Sequence, residues 1–139
     1  MRYVLLIVLM AAGGFVALRG WAAEPSTSPA TRSSIPVAEV EEFASLIGRP
    51  GHVLLDVRTA EEHAAGRIGG GSDLVDFESA SFAKRAAELP RDKTYLIYCR
   101  SGRRSHLAAG QMRAMGFEHV VELKGGMGAW EKAGKAVEK

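Results

Sequence analysis

The single cysteine of this 139-residue chain, Cys99, stands before a short arginine-rich segment, Arg100-Ser101-Gly102-Arg103-Arg104-Ser105. One cysteine excludes an intramolecular disulfide, a CxxC redox pair and a multi-cysteine metal site. The four histidines lack the spacing of metal ligands, and nothing else in the sequence indicates a metal or a cofactor. The chemistry open to Cys99 is therefore that of a nucleophilic thiolate. The alternative is a buried thiol that acts only as a small hydrophobic side chain.

The residues around Cys99 favour the thiolate. An apolar run, Thr94 to Cys99, predicts a buried strand that ends at the thiol, Gly102 predicts a turn, and a helix is expected from Arg103 to Met115. A loop between a strand and a helix can turn successive amides inward, and the helix N-terminus adds positive potential. Both effects predict a pKa below the ~8.5 of a free cysteine. Taken singly, Gly102 could be an ordinary turn, the arginines a solvated surface and Ser105 a helix cap.

Strand-like and helix-like segments alternate along the rest of the domain. Apolar runs predict strands at 52–57, 94–99 and 119–123, with a weaker candidate at 72–77 and a short edge strand at 35–37. Helices are expected at 37–47, 79–89 and 103–115, with Trp130 on a short last one. On the third helix, Leu107, Ala108, Met112 and Met115 fall within about 140° of arc, which predicts its buried face. This order predicts an α/β domain with a mostly parallel sheet, whose ligands bind beyond the carboxyl ends of the strands.

The N-terminal residues have the pattern of a targeting signal. Met1-Arg2 precedes an uncharged, mostly apolar run from Tyr3 to Leu18, which as a helix is about 24 Å long and too short for a ~30 Å hydrocarbon core. Residues 1–23 are therefore predicted to be a signal peptide, residues 24–34 a flexible tether and residues 35–139 the domain. Export to the periplasm is expected, and an uncleaved membrane anchor facing the periplasm is the alternative.

Composition and charge fit one globular domain, with 47% hydrophobic residues. The formal charge is +2, but without the leader's two arginines the remaining 16 basic residues match the 16 acidic ones. A neutral chain gives no electrostatic reason to expect nucleic acid or an anionic membrane as a partner.

The segment from Val53 to Trp130 resembles the rhodanese-like domain family. The motifs that carry the resemblance are CRSGRRS at 99–105, LLDVRTAEEHAAGRIGG at 54–70 and LKGGMGAW at 123–130. The resemblance implies a five-stranded parallel sheet flanked by helices, and Cys99 as a nucleophile that forms a persulfide. Amides of Arg100 to Arg104 would surround the outer sulfur, Arg58 would lie near the cysteine, and Asp56 and Ser105 would support the loops. Gly125, Gly126 and Trp130 match structural positions.

The resemblance has one departure, in Gly66-Arg67-Ile68-Gly69-Gly70-Gly71, where the family commonly has GHIPGA. Arg67 thus replaces a histidine and Gly69 a proline, which predicts a more mobile loop. Arg67 is expected to form a surface salt bridge or to meet a substrate anion.

The activity that the resemblance implies is transfer of sulfur from a small anionic donor such as thiosulfate, by way of Cys99, to cyanide or a thiol. Arg58 and the loop residues Arg100, Ser101, Gly102, Arg103 and Arg104 would bind the donor. One alternative is a relay or binding module that passes the persulfide to a protein partner. A cysteine phosphatase or arsenate reductase is another, but its Cx5R pattern needs arginine where this chain has Ser105. A Cys-His hydrolase built on His106 is disfavoured, because no third residue is indicated.

Overall fold

The fold is a parallel sheet with helices packed on both faces. The computed structural model describes residues 34–139, so the predicted leader (1–23) and nearly all of the predicted tether (24–34) lie outside the described residues. The elements are β1 (Val37–Ala38), α1 (Val40–Leu46), β2 (His52–Asp56), α2 (Ala60–Ala65), β3 (Arg67–Ile68), β4 (Asp73–Leu74), α3 (Phe82–Ala87), β5 (Thr94–Tyr98), α4 (Arg103–Ala114), β6 (Val120–Leu123), α5 (Gly126–Lys132) and β7 (Val137–Glu138). Among the described residues, no helix combines the length and apolarity needed to cross a membrane.

The main sheet has five strands in the order β1-β6-β5-β2-β4, and every neighbouring pair is parallel. This confirms the five-stranded parallel sheet expected from the sequence. In the central pair, Asp56 at the end of β2 lies beside Tyr98 at the end of β5. The residues that follow these two strands therefore emerge side by side at one edge of the sheet.

The strands alternate their side chains between two buried faces. Leu54, Leu96 and Tyr98 pack with Phe43 of α1 and Trp130 of α5 on one face. The other face carries Leu55, Val57, Ile97 and Cys99, which pack with side chains of α3 and α4. The apolar runs of β2 and β5 follow from burial on both sides, because neither face of these strands meets water.

Two expectations about the helices were wrong in detail. Val37 and Ala38 pair with β6 as an edge strand, so α1 begins at Val40 rather than at Val37. On α4 the predicted face was rotated: Leu107 is 47% exposed, whereas Ala109 is fully buried beside Ala108 and Met112. The helix packs through its small residues, which allow it to lie close to the sheet.

Three elements were not predicted: strands β3 and β7 and helix α2. β3 and β7 form a small antiparallel sheet that joins the Gly66–Gly71 segment to the C-terminus. Helix α2 begins with a capping box, in which Thr59 accepts from the amide of Glu62 and Glu62 accepts from the amide of Thr59. The T-x-x-E pattern of that box is visible in the sequence and is typical of a helix start.

Candidate active site

Cys99 follows β5 directly and begins a tight loop that leads into α4. Gly102 has φ of +98°, a left-handed conformation that favours glycine, and it is the N-cap residue of α4. This turn brings the Gly102 amide back onto the thiol, with 3.1 Å between the nitrogen and Sγ. The predicted arrangement of strand, glycine turn and helix start is therefore present at Cys99.

The environment of the Cys99 thiol favours its anionic form. Burial of the thiol raises its pKa, but the hydroxyl and amide of Ser105 and the amides of Gly102 and Ser101 stabilise the thiolate and lower the pKa below its ordinary value. Ser105 is fully buried, and the one proton of its hydroxyl can be donated either to the thiolate or to the Gly102 carbonyl oxygen, which lies 3.1 Å from Oγ. The amides that lower this pKa include those of Ser101, Gly102 and Ser105, and Ser105 lies one residue beyond the predicted Arg100–Arg104 range.

The back of the loop is held by the N-terminus of α5. The amides of Met127 and Gly128 donate to the carbonyl oxygens of Cys99 and Arg100, at 2.8 and 3.1 Å. A Cβ on Gly126 would overlap the Cys99 carbonyl oxygen and would lie 2.9 Å from the carbonyl carbon and oxygen of Arg100. Because the Arg100 carbonyl points toward α5, the Ser101 amide of the same trans peptide unit points the other way, and it is one of the amides that lower the pKa of Cys99.

Cys99 has no exposed surface in this conformation. Its side chain packs with Val57, Ala108 and other buried residues on one face of the sheet, beneath the loop residues. A donor therefore reaches the sulfur only when the residues over it move.

Beside the loop, Asp56 is the centre of a buried polar network. Its carboxylate accepts from Nε and Nη2 of Arg58, at 3.0 and 2.7 Å, from the Tyr98 hydroxyl at 3.1 Å, and it lies 2.9 Å from Nδ1 of His63. Burial and the neighbouring Asp56 charge raise the pKa of Tyr98 to about 12, so Tyr98 stays a neutral donor. The network joins β2, β5 and α2 next to the cysteine loop. That Asp56 supports the loops for catalysis stays a prediction.

Arg58 is 3% exposed and engaged on several sides. Besides its hydrogen bonds to Asp56, Arg58 donates from Nη2 to the Gly66 carbonyl oxygen at 2.7 Å. Burial of Arg58 lowers its pKa, but the hydrogen bond and the charge of Asp56 outweigh this effect and raise the pKa above its ordinary value. The structure thus brings Arg58 near the loop, as expected, but directs its charge to Asp56; that Arg58 binds a donor stays a prediction.

Arg104 leaves the loop and binds acidic side chains of other segments. Its guanidinium contacts both carboxylate oxygens of Glu62 at 2.8 Å and one oxygen of Glu78 at 3.2 Å. The hydrogen bond from Arg104 is the main reason that the pKa of Glu62 falls from 4.5 to about 2. A donor anion would therefore have to compete with two carboxylates for Arg104, and its predicted role in donor binding stays a prediction.

The other loop side chains face outward. Arg100 is 57% exposed and its Nη1 lies 3.3 Å from Glu131, while Ser101 and Arg103 are exposed. Arg67, whose role was left open, is half-buried in β3 opposite Glu138 of β7. Ion pairs of Arg67, expected as one alternative, do not occur among residues 34–139.

Several residues that shape this site were not predicted from the sequence: Glu62, His63, Glu78, Tyr98 and Glu131. The capping box signals the position of Glu62 on α2, but its contact with Arg104 spans 42 residues and depends on the fold. Within the described part of the chain, no cluster of three or more His, Cys, Asp or Glu residues is placed to hold a metal ion.

Fold and site together define an α/β domain whose parallel sheet delivers a cysteine into a loop of inward-pointing amides. The rhodanese-like domain family matches residues 39–133. The chain belongs to that family, which confirms the resemblance found in the sequence.

Curated relatives and solved structures agree with this family. The chain is 37% identical over 82 residues to a sulfurtransferase of Allochromatium vinosum, covering 59% of this chain and 74% of that protein. It is 37% identical over 94 residues to a tRNA sulfurtransferase of Pectobacterium atrosepticum, but those residues span 66% of this chain and only 19% of that protein. The match therefore covers most of the Allochromatium vinosum protein but only a small part of the Pectobacterium atrosepticum protein.

Two solved structures bear on the function. The rhodanese-like domain of an Anabaena protein superposes with a TM-score of 0.65 at 30% identity, covering 74% of this chain and 78% of that one. A Rhodopseudomonas palustris protein of unknown function, described as a possible tyrosine phosphatase, superposes with a TM-score of 0.60 at 32% identity, covering 76% and 86%.

Proposed function

We propose that this protein is a sulfurtransferase in which Cys99 carries sulfur as a persulfide. The observation that carries the proposal is the 3.1 Å contact between the Gly102 amide and the Cys99 sulfur, in a loop that lowers the pKa of the thiol. A thiolate at ordinary pH needs no general base, and amides that stabilise its charge can also stabilise the charge of a persulfide. The names of its sulfurtransferase relatives point to the same chemistry.

The proposed reaction has two steps. The Cys99 thiolate attacks the outer sulfur of a donor such as thiosulfate, the sulfur–sulfur bond of the donor breaks, and its electron pair leaves with sulfite. Cys99 now holds the second sulfur as Cys–S–S⁻. Cyanide or a thiol then attacks that outer sulfur, the persulfide bond breaks, and its electron pair returns to Cys99 as the thiolate. Each step balances without an added oxidant or reductant.

Binding of the donor falls to the groups at the outer surface of the loop. Arg103 is exposed, and Arg100 is exposed with one 3.3 Å contact to Glu131, whereas Arg58 and Arg104 are engaged by carboxylates that are more buried. An exposed guanidinium can bind an anion such as thiosulfate through two parallel hydrogen bonds. Thiosulfate as donor, with Ser101 and Gly102 completing the site, is therefore part of the proposal.

Initial-rate kinetics test this cycle. With thiosulfate and cyanide varied together, a persulfide enzyme gives parallel double-reciprocal lines and releases sulfite before cyanide is added. Cys99→Ser is expected to abolish both sulfite release and thiocyanate formation. Intersecting lines, or thiocyanate formation by Cys99→Ser, would contradict a sulfur carried on Cys99.

A cysteine phosphatase is the second candidate, because of the Rhodopseudomonas palustris structure. Two features disfavour it. The position six residues after Cys99 is the buried Ser105, and the nearest loop arginine, Arg104, is bound to Glu62 and Glu78. A phosphoryl group would therefore lack a free guanidinium at the end of the loop. Hydrolysis of p-nitrophenyl phosphate that is lost in Cys99→Ser would favour the phosphatase.

A relay to a protein partner uses the same residues and differs only in the acceptor. The loop presents Arg100, Ser101 and Arg103 on its outer side, where a second protein could approach. The two acceptors are distinguished by loading Cys99 with sulfur and comparing its discharge by small thiols with its discharge by a purified candidate partner. Faster discharge by the small thiol supports an enzyme with a small-molecule acceptor, and faster discharge by the partner supports a relay.

A further inference from the structure

Next to the cysteine loop lies a cavity of about 240 Å³ whose charged lining sums to zero. It lies between the end of α2, the loop and α5, and is lined by Arg58, Glu62, Ala65, Gly66, Arg100 and Glu131. Because two guanidinium groups line it together with two carboxylates, the cavity as a whole carries no excess positive charge to attract a small anion, and the exposed loop residue Arg103 does not line it.

Two of those four charges are already engaged. Arg58 is buried and gives its hydrogen bonds to Asp56 and Gly66. Glu62 accepts from Arg104 through both carboxylate oxygens and from the Thr59 amide. A ligand could recruit either group only by breaking these contacts.

The other two charges, Arg100 and Glu131, are the available ones. They share one contact of 3.3 Å, and their side chains are 57% and 45% exposed. An exposed pair of this kind contributes at most about 1 kcal/mol, so a ligand that satisfies both charges can separate it. Such a ligand carries a negative group for Arg100 and a positive group for Glu131.

We propose that this cavity binds the α-amino acid group of a small thiol that accepts sulfur from Cys99. The inference rests on the proposed sulfur transfer and names its acceptor class. Arg100 would hold the carboxylate of the acceptor and Glu131 its ammonium group.

The two groups belong to segments that adjoin Cys99. Arg100 follows Cys99 in the chain, and Glu131 lies on α5, whose Met127 and Gly128 amides hold the carbonyl oxygens of Cys99 and Arg100. The Val57 amide donates to the Tyr98 carbonyl oxygen where β2 and β5 end. Arg58 and Arg100, which follow these two strand ends, therefore emerge on the same edge of the sheet. The cavity is therefore at the carboxyl edge of the sheet, where the loop begins.

The transfer step balances as a thiol–persulfide exchange. The acceptor thiol first passes its proton to the outer sulfur of Cys–S–S⁻, and the resulting thiolate then attacks that sulfur and forms a new sulfur–sulfur bond. The persulfide bond of Cys99 breaks, and its electron pair stays on Sγ as the thiolate that starts the next cycle. The proton of the acceptor thiol supplies the one on the outer sulfur, and the product is a small-molecule persulfide.

The test is a single-turnover discharge of sulfur-loaded protein. Loading with thiosulfate is first confirmed by intact mass, and the second-order rate of discharge is then measured with L-cysteine, N-acetyl-L-cysteine and cysteamine. The last two lack the ammonium and the carboxylate group, respectively. Glu131→Gln is expected to lower the ratio of the L-cysteine rate to the N-acetyl-L-cysteine rate about threefold to fivefold, the effect of one exposed charge pair. Arg100→Gln is expected to lower the ratio of L-cysteine to cysteamine by a similar factor.

Ratios within one variant cancel the intrinsic reactivities of the thiols and any general loss of activity. Lys132→Gln is the matched control, because Lys132 is exposed on the same helix and does not line the cavity; its ratios should equal those of the unmodified protein. Failure of the unmodified protein to load sulfur would overturn the proposed function; Arg100→Gln, which lacks a donor-binding group, is loaded at saturating thiosulfate before its discharge is measured. Normal loading with both ratios unchanged in Glu131→Gln and Arg100→Gln would overturn the acceptor proposal alone.

Discussion

The Cys99 thiol is subject to two opposing effects, and their balance sets its reactivity. Burial raises its pKa, while the hydrogen bonds from Ser105, Gly102 and Ser101 lower it and prevail. The sequence predicted the lowered pKa from the position of a glycine turn between a strand and a helix. The contribution of the Ser105 hydroxyl was not evident, because a serine in the first turn of a helix is commonly a cap or a surface residue.

Ser105→Ala tests this balance at one atom. Without the hydroxyl, the effect of burial is opposed by fewer hydrogen bonds, so the pKa of Cys99 is expected to rise. Alkylation by iodoacetamide at pH 7 should then slow down. The measurement is the pH dependence of the alkylation rate, whose midpoint should move to higher pH. Ser101→Ala is the matched control, because Ser101 contributes its amide and keeps it in alanine. Equal midpoints in Ser105→Ala and the unmodified protein would contradict the assigned role of the hydroxyl.

Among the helices and strands, α5 has the most direct influence on the loop. Its first amides hold the Cys99 and Arg100 carbonyls, and this approach requires the absence of a side chain at Gly126. The family resemblance marked Gly126 as structural, but the sequence alone could not show which backbone it approaches. That information depends on how the β6–α5 turn packs on the β5–α4 turn.

Gly126→Ala is therefore expected to be severe. Its φ of +57° already strains an alanine, and the added Cβ overlaps the loop carbonyls, so the loss of unfolding free energy should reach about 3 kcal/mol or more. Gly134→Ala is the control: its φ is +72° but its Cβ would meet nothing within 4 Å, which limits the loss to about 1 kcal/mol. Urea unfolding measures both. Similar losses in the two variants would show that α5 does not approach the loop as described.

Helix α2 is joined to the start of α4 by the ion pair of Glu62 with Arg104. Because the pair lowers the pKa of Glu62 from 4.5 to about 2, its contribution is fully present above pH 4.5 and is lost as the pH falls toward 2. Glu62→Gln should therefore reduce the unfolding free energy by about 1 to 2 kcal/mol at pH 7, since solvent partly screens the pair. The reduction should shrink steadily between pH 5 and pH 3.

The control for this pair is Glu61→Gln, since Glu61 is the exposed neighbour on the same helix. Its unfolding free energy, measured by urea titration at each pH, should stay within about 0.5 kcal/mol of the unmodified protein. A Glu62→Gln reduction that is the same at pH 3 and pH 7 would mean that the carboxylate charge is not responsible.

For the molecule as a whole, the sequence predicted the parallel sheet well, because strands buried on both faces leave continuous apolar runs. It did not predict the small β3–β7 sheet, whose two-residue strands carry no readable pattern and pair across about 70 residues of chain. The charge network of Arg104 was missed for the same reason, since its partners lie on other elements. Short elements and distant ion pairs depend on the assembled fold.

We also propose that the protein is exported. Residues 1–23 have the charge and apolar pattern of a signal peptide, and processing is expected to leave a mature chain that begins near Ala23 or Glu24. N-terminal sequencing of protein from the native host checks this. An intact Met1 on protein recovered from membranes would instead support an uncleaved anchor.

The central claim concerns one sulfur atom. Intact mass spectrometry of the protein after incubation with thiosulfate should show a gain of one sulfur, assigned to Cys99 by peptide mapping and removed by cyanide. No gain in mass on the folded, alkylatable protein across thiosulfate and small-molecule persulfide donors, or a gain that persists in Cys99→Ser, would contradict the account.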